Sequence, residues 1–325
     1  MTQATLDLSV IAPIYNEEES IPHLLAELHG ALDPTNLSFE IILVDDGSAD
    51  RSFAVLEAAT AHDPALVVVR FRRNFGQTAA LQAGLDAARG RRVVLLDADL
   101  QNDPLDIPRM LAKLDEGFDL VAGWRADRKD AFWNRRLPSM IANRLISAIT
   151  KVHLHDYGCT LKAMNQEVAK ELRLYGEMHR FIPAIANWIG VRVAEMPVNH
   201  RARQFGRTKY GIGRTLRVVL DLMTVRFMQS YLTRPMQVFG LAGIMSGFGG
   251  VALCAWLVVQ KLAFGADIGS RPLLMLGVLL IVVGVQLLSL GLVADVVSRT
   301  YHESQDKPPY HVRQRIAGPG RQPHI

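Results

Sequence analysis

The chain has 325 residues, 49% of them hydrophobic and 21% charged, with a formal net charge of +4. That length accommodates one or two domains with a large core, while a mean hydropathy of +0.13 is high for a purely soluble enzyme and a pI near 9.1 suits a protein lying against an anionic leaflet. Only two cysteines are present, Cys159 and Cys254, in a polar and an apolar part of the chain, which argues against a disulfide or a metal thiolate site; nor does any recognition motif accompany the positive charge, which argues against nucleic acid as a partner.

From the N-terminus, strand-like and helix-like segments alternate. "LSVIAPIY" reads as a strand and "EEESIPHLLAELHGAL" as a helix with apolar residues at helical spacing. "FEIILVDDGSADRS" is a second buried strand running into a turn, followed by the helix "FAVLEAATAH" and a third strand "ALVVVRF". "QTAALQAGLDAARG" predicts a helix with Gly90 at its C-terminal end. "RRVVLLDAD" is the fourth strand, and Asp103-Pro104 reads as an N-cap with proline at the first position of the helix "LDIPRMLAKL". "DLVAGW" is the fifth strand. This repetition predicts an α/β fold with a parallel or mixed sheet wound with helices. No G-x-G-x-x-G follows the first strand and no G-x-x-x-x-G-K occurs, so neither a dinucleotide fingerprint nor a P-loop is present. The first apolar run, Leu8–Ile14, is short and is followed by acids, so no signal peptide is expected.

The C-terminal third differs. Residues 236–259 and 273–296 hold two long stretches, almost free of charge, each long enough to span a bilayer. Arg226 and Arg234 precede the first; Arg299, Lys307, Arg313 and Arg315 follow the second; the loop between holds only Lys261 and Arg271 against Asp267. The positive-inside bias places both termini in the cytoplasm. Gly243 and Gly247 have a small-x-x-x-small spacing that serves either packing between the two spans or an oligomer contact, the latter being preferred. Asp295 and Arg299, four apart, are expected to pair.

Three strand ends concentrate polar groups: Tyr15-Asn16-Glu17, Asp45-Asp46-Gly47-Ser48, and Asp97, Asp99 and Gln101. Ligands of open α/β sheets bind just beyond such ends. Each cluster also has a plain structural explanation, as turn chemistry for "DDGS" or as a favourable helix N-terminus for the glutamates; their joint occurrence favours one ligand site. Asp97 and Asp99 repel one another unless a cation compensates, and hard cations such as Mg²⁺ or Mn²⁺ take carboxylate oxygens and bridge to phosphates.

"VIAPIYNEEESI", "EIILVDDGSADRS", "RNFGQTAALQAGLDAARG" and "LLDADLQNDP", in that order, resemble a family 2 glycosyltransferase of the GT-A fold. "DYGCTLKAMNQEV", "FIPAIANWIGVRVAEMPVNHRARQFGRTKYG" and the two terminal spans resemble the bacterial polyprenyl-phosphate branch, which includes undecaprenyl-phosphate glucosyltransferases and the formamido-arabinose transferase of lipid A modification. The resemblance implies inverting transfer of a sugar from a nucleoside diphosphate sugar, UDP rather than GDP, to polyprenyl phosphate. It assigns Pro13, Tyr15, Glu17, Asp45 and Asp46 to the nucleotide-sugar pocket and Asp97, Asp99 and Gln101 to a DXD-type metal and diphosphate motif, with Asp99 and Gln101 as direct ligands and Asp97 nearer the ribose. Arg203 and Lys209 would contact the diphosphate, or else belong to a basic patch holding lipid headgroups, and the glycines 206, 211 and 213 suggest a loop closing over the donor. Arg125, Arg136 and Ser139 are the implied acceptor-phosphate residues. Asp156 occupies the position of a catalytic base, but a phosphate nucleophile has few protons to lose near neutral pH, so an orienting role is expected; His153 and His155 are expected to be bystanders.

The domain plan is then a catalytic domain at 1–212, an amphipathic juxtamembrane helix at 213–234, two spans within 235–298 and a cytoplasmic tail at 299–325. The stretch from Arg125 to Arg144, with six basic residues beside Trp124, Phe132 and Trp133, supplies a second interfacial or core-facing helix. Related proteins form tetramers, so a homo-oligomer is expected. A processive polysaccharide synthase would carry a Q-x-x-R-W element and more spans; an Asp97-dependent phosphotransferase would leave the pocket residues without a role; a scaffold without activity has no evident need of the acids and the basic loop.

Overall fold

The computed structural model describes residues 6–126, 154–174, 178–188, 190–202, 235–265, 272–304 and 310–319, in two units. The first, drawn from residues up to 222 and from 308 onward, is built on an eight-stranded mixed sheet of order β7-β5-β6-β4-β1-β2-β3-β8. Its parallel heart is β1 (Leu8–Ile14), β2 (Phe39–Asp45), β3 (Leu66–Phe71) and β4 (Arg92–Leu95). These strands are rich in β-branched and leucine side chains, and the side chains of β1 and β2 are almost all buried, as strands covered on both faces require.

Helices α1 (Ser20–Leu32), α2 (Ser52–Thr60), α3 (Gln77–Ala87) and α4 (Ile107–Asp115) are the crossovers. α1 turns Ile21, Leu24, Leu28 and Leu32 into the core at helical spacing. α3 is buried along most of its length and lies so close to β1 that a Cβ on Gly84 would stand 2.2 Å from Ile11 Cγ2. The expected glycine stop of this helix is corrected. The helix ends at Ala87 with Ala88 as its cap, and Gly90 instead lets the chain pass β1, where a Cβ would fall 2.4 Å from the Ser9 amide nitrogen.

β5 (Leu120–Trp124) pairs parallel with β7 (Val193–Pro197) and antiparallel with β6 (Lys162–Asn165), which also pairs antiparallel with β4. Between β6 and β7 lie the short helices α5 (Gln166–Glu171) and α6 (Ile182–Trp188). β8 (Val312–Ala317) is antiparallel to β3, so a segment expected as a tail carries an edge strand of the catalytic sheet. It is held there by Tyr310, whose ring stacks on Phe71 at 5.1 Å and whose hydroxyl donates to Asp86 on α3 at 2.7 Å.

The second unit is a pair of helices, α7 (Pro235–Phe264) and α8 (Pro272–Ser304). Within them Phe239–Phe264 and Pro272–Val293 are long and apolar enough to cross a membrane. Only 17% and 11% of these windows are buried, and Leu241, Phe248, Leu262 and Leu279 are exposed. Such apolar faces suit lipid rather than water. The helices meet through small residues: a Cβ on Gly243 would lie 2.8 Å from the Gly284 carbonyl oxygen, and one on Gly250 2.6 Å from that of Gly277. The glycine spacing noted in the sequence therefore serves contact between the two helices, with Gly284 reaching the backbone of Gly247 as well. Arg136, Ser139, Arg203, Lys209 and both candidate amphipathic helices lie outside the described residues, as do the side chains of Asp295 and Arg299.

Candidate active site

In the sheet order, β1 lies between β2 and β4, so the direction of winding reverses at the β1–β4 edge. Crevices open at that point in α/β sheets. The polar strand ends converge there: Ile14 is in register with Asp45, and the backbone of Leu96 bonds to Ile11, carrying Asp97 past the end of β4.

The first two loops are stitched to each other. Asn16, in the left-handed region at φ 52°, accepts from the Ala49 amide at 2.9 Å, while its own amide donates to Ser48 Oγ at 3.0 Å. Ser48 N donates to Asp45 Oδ1 at 2.9 Å. The other oxygen of this fully buried carboxylate lies 3.5 Å from Arg70 Nε and, among the described residues, receives no hydrogen bond. Asp46 is turned to a different purpose: it accepts the amides of Phe75 at 2.6 Å and Gly76 at 2.9 Å, fixing the loop that enters α3. Burial pushes its pKa up to about 6, against the lowering effect of those two amides and with Asp45 adding to the rise. Gly47 has φ 67°, and a Cβ there would lie 2.4 Å from the Arg73 carbonyl carbon, so only glycine fits. Tyr15 is 36% exposed at the rim. Glu17 accepts from Ser20 Oγ at 2.9 Å, so it also serves the start of α1.

Asp97 is half-buried beneath this rim, beside the more deeply buried Asp99. Gln77 Nε2 donates to its Oδ1 at 2.7 Å and Thr160 Oγ1 to its Oδ2 at 2.5 Å. Burial, then the charge of Asp99, pushes it up to about 6, although Thr160, Lys162 and Arg125 oppose the rise. Both oxygens of Asp97 are thus engaged by neighbouring side chains. Asp99 accepts the Gln101 amide at 3.2 Å across Leu100, a buried leucine held at φ 59°. A non-glycine residue in that conformation costs on the order of 1–3 kcal/mol and persists only where its surroundings over-determine it. Asp103 caps the next turn by accepting from Leu105 N at 3.1 Å, with Pro104 at its start, as the sequence predicts.

Asp156 faces the same edge in a closed arrangement. Arg125 Nε donates to its Oδ2 at 2.6 Å and Nη2 to its Oδ1 at 2.9 Å, and Gly158 N donates to Oδ1 at 3.0 Å. Below them Lys162 is fully buried, donating to the Cys159 carbonyl oxygen, with its pKa lowered by burial against the carboxylates of Asp156 and Asp97. Cys159 is a free thiol that burial pushes up to about 11, inert at neutral pH. Glu195 of β7 receives the amides of His155 and Asp156 at 2.9 and 3.0 Å, and His155 Nδ1 at 2.7 Å. His155 in turn stacks on Trp124 at 4.4 Å, so it is part of the frame of Asp156 rather than a bystander. Gln77, Thr160, Lys162 and Glu195 were not evident as site residues from the sequence. Gln77, Thr160 and Glu195 bond to residues 20 or more positions away, and Lys162 acts on Asp97 through its charge.

Among the described residues, no group of three or more His, Cys, Asp or Glu forms a metal cage. Two carboxylates and the Gln101 amide oxygen are hard donors that fit part of a divalent cation's shell, the remainder falling to phosphate oxygens and water.

A family model described as glycosyl transferase family 2 matches residues 9–173, which contain every strand end just described. The chain belongs to glycosyl transferase family 2. It is also 45% identical over 317 residues to dodecaprenyl-phosphate galacturonate synthase of Rhizobium johnstonii, covering 95% of this chain and 93% of that protein. The resemblance to polyprenyl-phosphate glycosyltransferases is therefore borne out. The solved structures similar to this glycosyltransferase include glucosyl-3-phosphoglycerate synthase from Mycobacterium tuberculosis with Mn²⁺ and UDP-glucose, at TM-score 0.55 and 23% identity, covering 69% of this chain and 79% of that one. The same enzyme with Mn²⁺, UDP and glucosyl-3-phosphoglycerate gives a TM-score of 0.53 at 23% identity, over 69% and 80%. At this identity the likeness establishes the GT-A fold alone.

Proposed function

We propose that this glycosyltransferase moves a sugar from a UDP-linked donor to polyprenyl phosphate at the cytoplasmic face of a bacterial inner membrane, inverting the anomeric centre. The observation that carries the reading is the 45% identity, along nearly the whole chain, to a dodecaprenyl-phosphate galacturonate synthase. Galacturonate is accordingly the first donor sugar to test, ahead of glucose and formamido-arabinose.

In the reaction, an oxygen of the acceptor phosphate attacks the anomeric carbon as the bond to the donor diphosphate breaks and UDP departs. Asp45 and Tyr15 border the nucleoside side of the crevice, and Asp99 with Gln101 present oxygens to a divalent cation, Mg²⁺ or Mn²⁺. When bound, that cation neutralises charge on the departing diphosphate. Arg125, held by Asp156, offers its fixed guanidinium on the acceptor side, where Arg136 and Ser139 are also assigned; Arg203 and Lys209 complete the charge around the diphosphate. The nucleophile is largely ionised near neutral pH, and the oxygens of Asp156 are engaged by Arg125 and Gly158. Asp156 therefore orients, and proton removal is a minor part. Membrane attachment through α7 and α8 brings the acceptor lipid to the site.

The test uses the full chain in detergent with dodecaprenyl or undecaprenyl phosphate, Mg²⁺ or Mn²⁺, and a panel of UDP- and GDP-sugars including UDP-galacturonate. The lipid product is followed by mass spectrometry. Transfer from one donor, lost in Asp99→Asn, is expected. A chain that binds no UDP or GDP in the presence of metal overturns the reading.

A further inference from the structure

The turn Asp99-Leu100-Gln101 holds a strained residue at its centre, yet its own hydrogen bond, Gln101 N to Asp99 Oδ1, is long at 3.2 Å. What fixes it comes from a hundred residues downstream. Arg201 N donates to the Gln101 carbonyl oxygen at 2.9 Å, and Gln101 Nε2 donates to the Arg201 carbonyl oxygen at 3.4 Å. Asn102 and His200 form an antiparallel bridge beside this pair, and Asn199 N donates to Asp106 Oδ2 at 2.6 Å. A short strip, 199–201, is thus zipped along the turn from 101 to 106.

The strip is itself anchored by one side chain. The guanidinium of Arg201 donates through Nη1 to both oxygens of Glu27 on α1, at 2.8 and 2.9 Å, and through Nη2 to Asp103 Oδ1 at 2.8 Å. Asp103 is the cap of the turn after Gln101, so the same arginine ties the strip to α1 and to the far end of the loop. The planar fork of arginine offers donors in fixed directions to two carboxylates at once, a preorganisation that the compact ammonium of lysine lacks. The amide group of Gln101 is oriented by its donation to the Arg201 carbonyl, which turns its oxygen away from that contact.

We infer that Arg201, with Glu27, is a positioning residue for the metal–diphosphate turn: it holds Asp99 and Gln101 in the strained arrangement needed to present their oxygens to a cation. The inference rests on the reading of this turn as the metal site. Arg201 acts through its contacts with Gln101 and Asp103. Loss of such outer support costs about 10–100-fold in metal affinity where it has been measured in metal sites.

Titration calorimetry of UDP binding to the full chain in detergent, with and without Mn²⁺, separates this role from general structural support. For Arg201→Lys the Mn²⁺-dependent gain in UDP affinity is expected to fall about 10-fold, with metal-free UDP affinity and melting temperature unchanged. Glu27→Gln, which keeps the arginine and its bond to Asp103, is expected to show a smaller loss in the same direction. If the metal-dependent gain is intact in Arg201→Lys, or falls together with metal-free binding, the positioning role is overturned. If the wild-type chain binds UDP with no gain from Mn²⁺, the metal reading of the turn itself fails, independently of Arg201.

Discussion

Asp156→Asn distinguishes a base from a framework residue in one substitution. Both members of the Arg125–Asp156 pair are withdrawn from water, at 15% and 4% side-chain exposure, and they meet through two short donor–acceptor contacts. The asparagine keeps the shape but removes the charge that answers a buried guanidinium, and its amide nitrogen confronts a donor on Arg125 or Gly158. Breaking a buried pair by removing one partner costs about 3–5 kcal/mol. For a domain of this size each kcal/mol lowers the melting temperature by about 2–4 °C, so the variant is expected to melt roughly 6–20 °C below the wild type. Arg125→Met combined with Asp156→Leu leaves neither an orphaned charge nor an orphaned amide and is expected to recover most of that loss, because apolar replacement of a buried pair is often neutral.

Thermal unfolding in detergent reads the first effect, and transferase activity between pH 6 and 9 reads the second. The acceptor phosphate has its second pKa at about 6, so it is almost fully ionised through the upper part of that range. An orienting Asp156 predicts an activity loss that stays constant as pH rises. An Asp156→Asn variant that melts with the wild type and regains activity at high pH would refute the framework argument and restore the base.

The remaining perturbations address the loop, the back of the sheet and the helix pair. Gly47→Ala forces a Cβ to within 2.4 Å of the Arg73 backbone at φ 67°, so the loop that carries Gln77 to Asp97 must move; UDP affinity is expected to fall at least several-fold, more than melting temperature predicts, and an unchanged affinity would refute the close approach. His29 bonds to Asp63 at 3.0 Å and to Asp33 at 3.1 Å, and these acids hold its pKa above the ordinary value although burial opposes them. Its stabilisation is therefore complete below the unfolded pKa of about 6.5 and is lost as pH rises through the higher folded value; the melting-temperature gap between wild type and His29→Gln should narrow across that window, and a gap independent of pH would contradict it. Gly243→Leu places a side chain where even a Cβ lies 2.8 Å from the Gly284 carbonyl, so the α7–α8 pair is expected to separate, read as loss of a disulfide engineered between the two helices.

The strand ends and the capped turn were legible because their signals are local. Asp103 caps the three-residue turn Pro104–Asp106, and Asp97 and Asp99 follow closely on an apolar strand. Partners brought by register were not legible. Thr160 reaches Asp97 across 63 positions and Arg201 reaches Glu27 across 174, and no pattern in either segment announces the other. Gly90 misled because glycine near a helix end usually marks a left-handed cap, whereas here its lack of a Cβ is needed against β1. β8 was missed for a different reason. "VRQRIA" carries two arginines among six residues, as an edge strand that discourages further pairing can, and its apolar alternation is too weak to stand out from a tail.

That last strand bears on how the chain meets the membrane. The covalent path leaves the first unit near residue 222, forms α7 and α8, and rejoins the same sheet at β8 through antiparallel pairing with β3. A single crossing would put β8 on the opposite side of the bilayer from the strand it pairs with, because sheet strands cannot share a ladder through lipid. Two apolar helices therefore either both cross or neither does, and helices whose spans are mostly unburied apolar surface have no stable home in water. The cytoplasmic placement proposed above rests on a separate physical principle, the basic residues that flank the pair in the sequence. Sheet pairing and charge bias are independent: the pairing requires β3 and β8 to share one aqueous compartment, whichever it is, and the charge bias alone carries the proposal that this compartment is the cytoplasm.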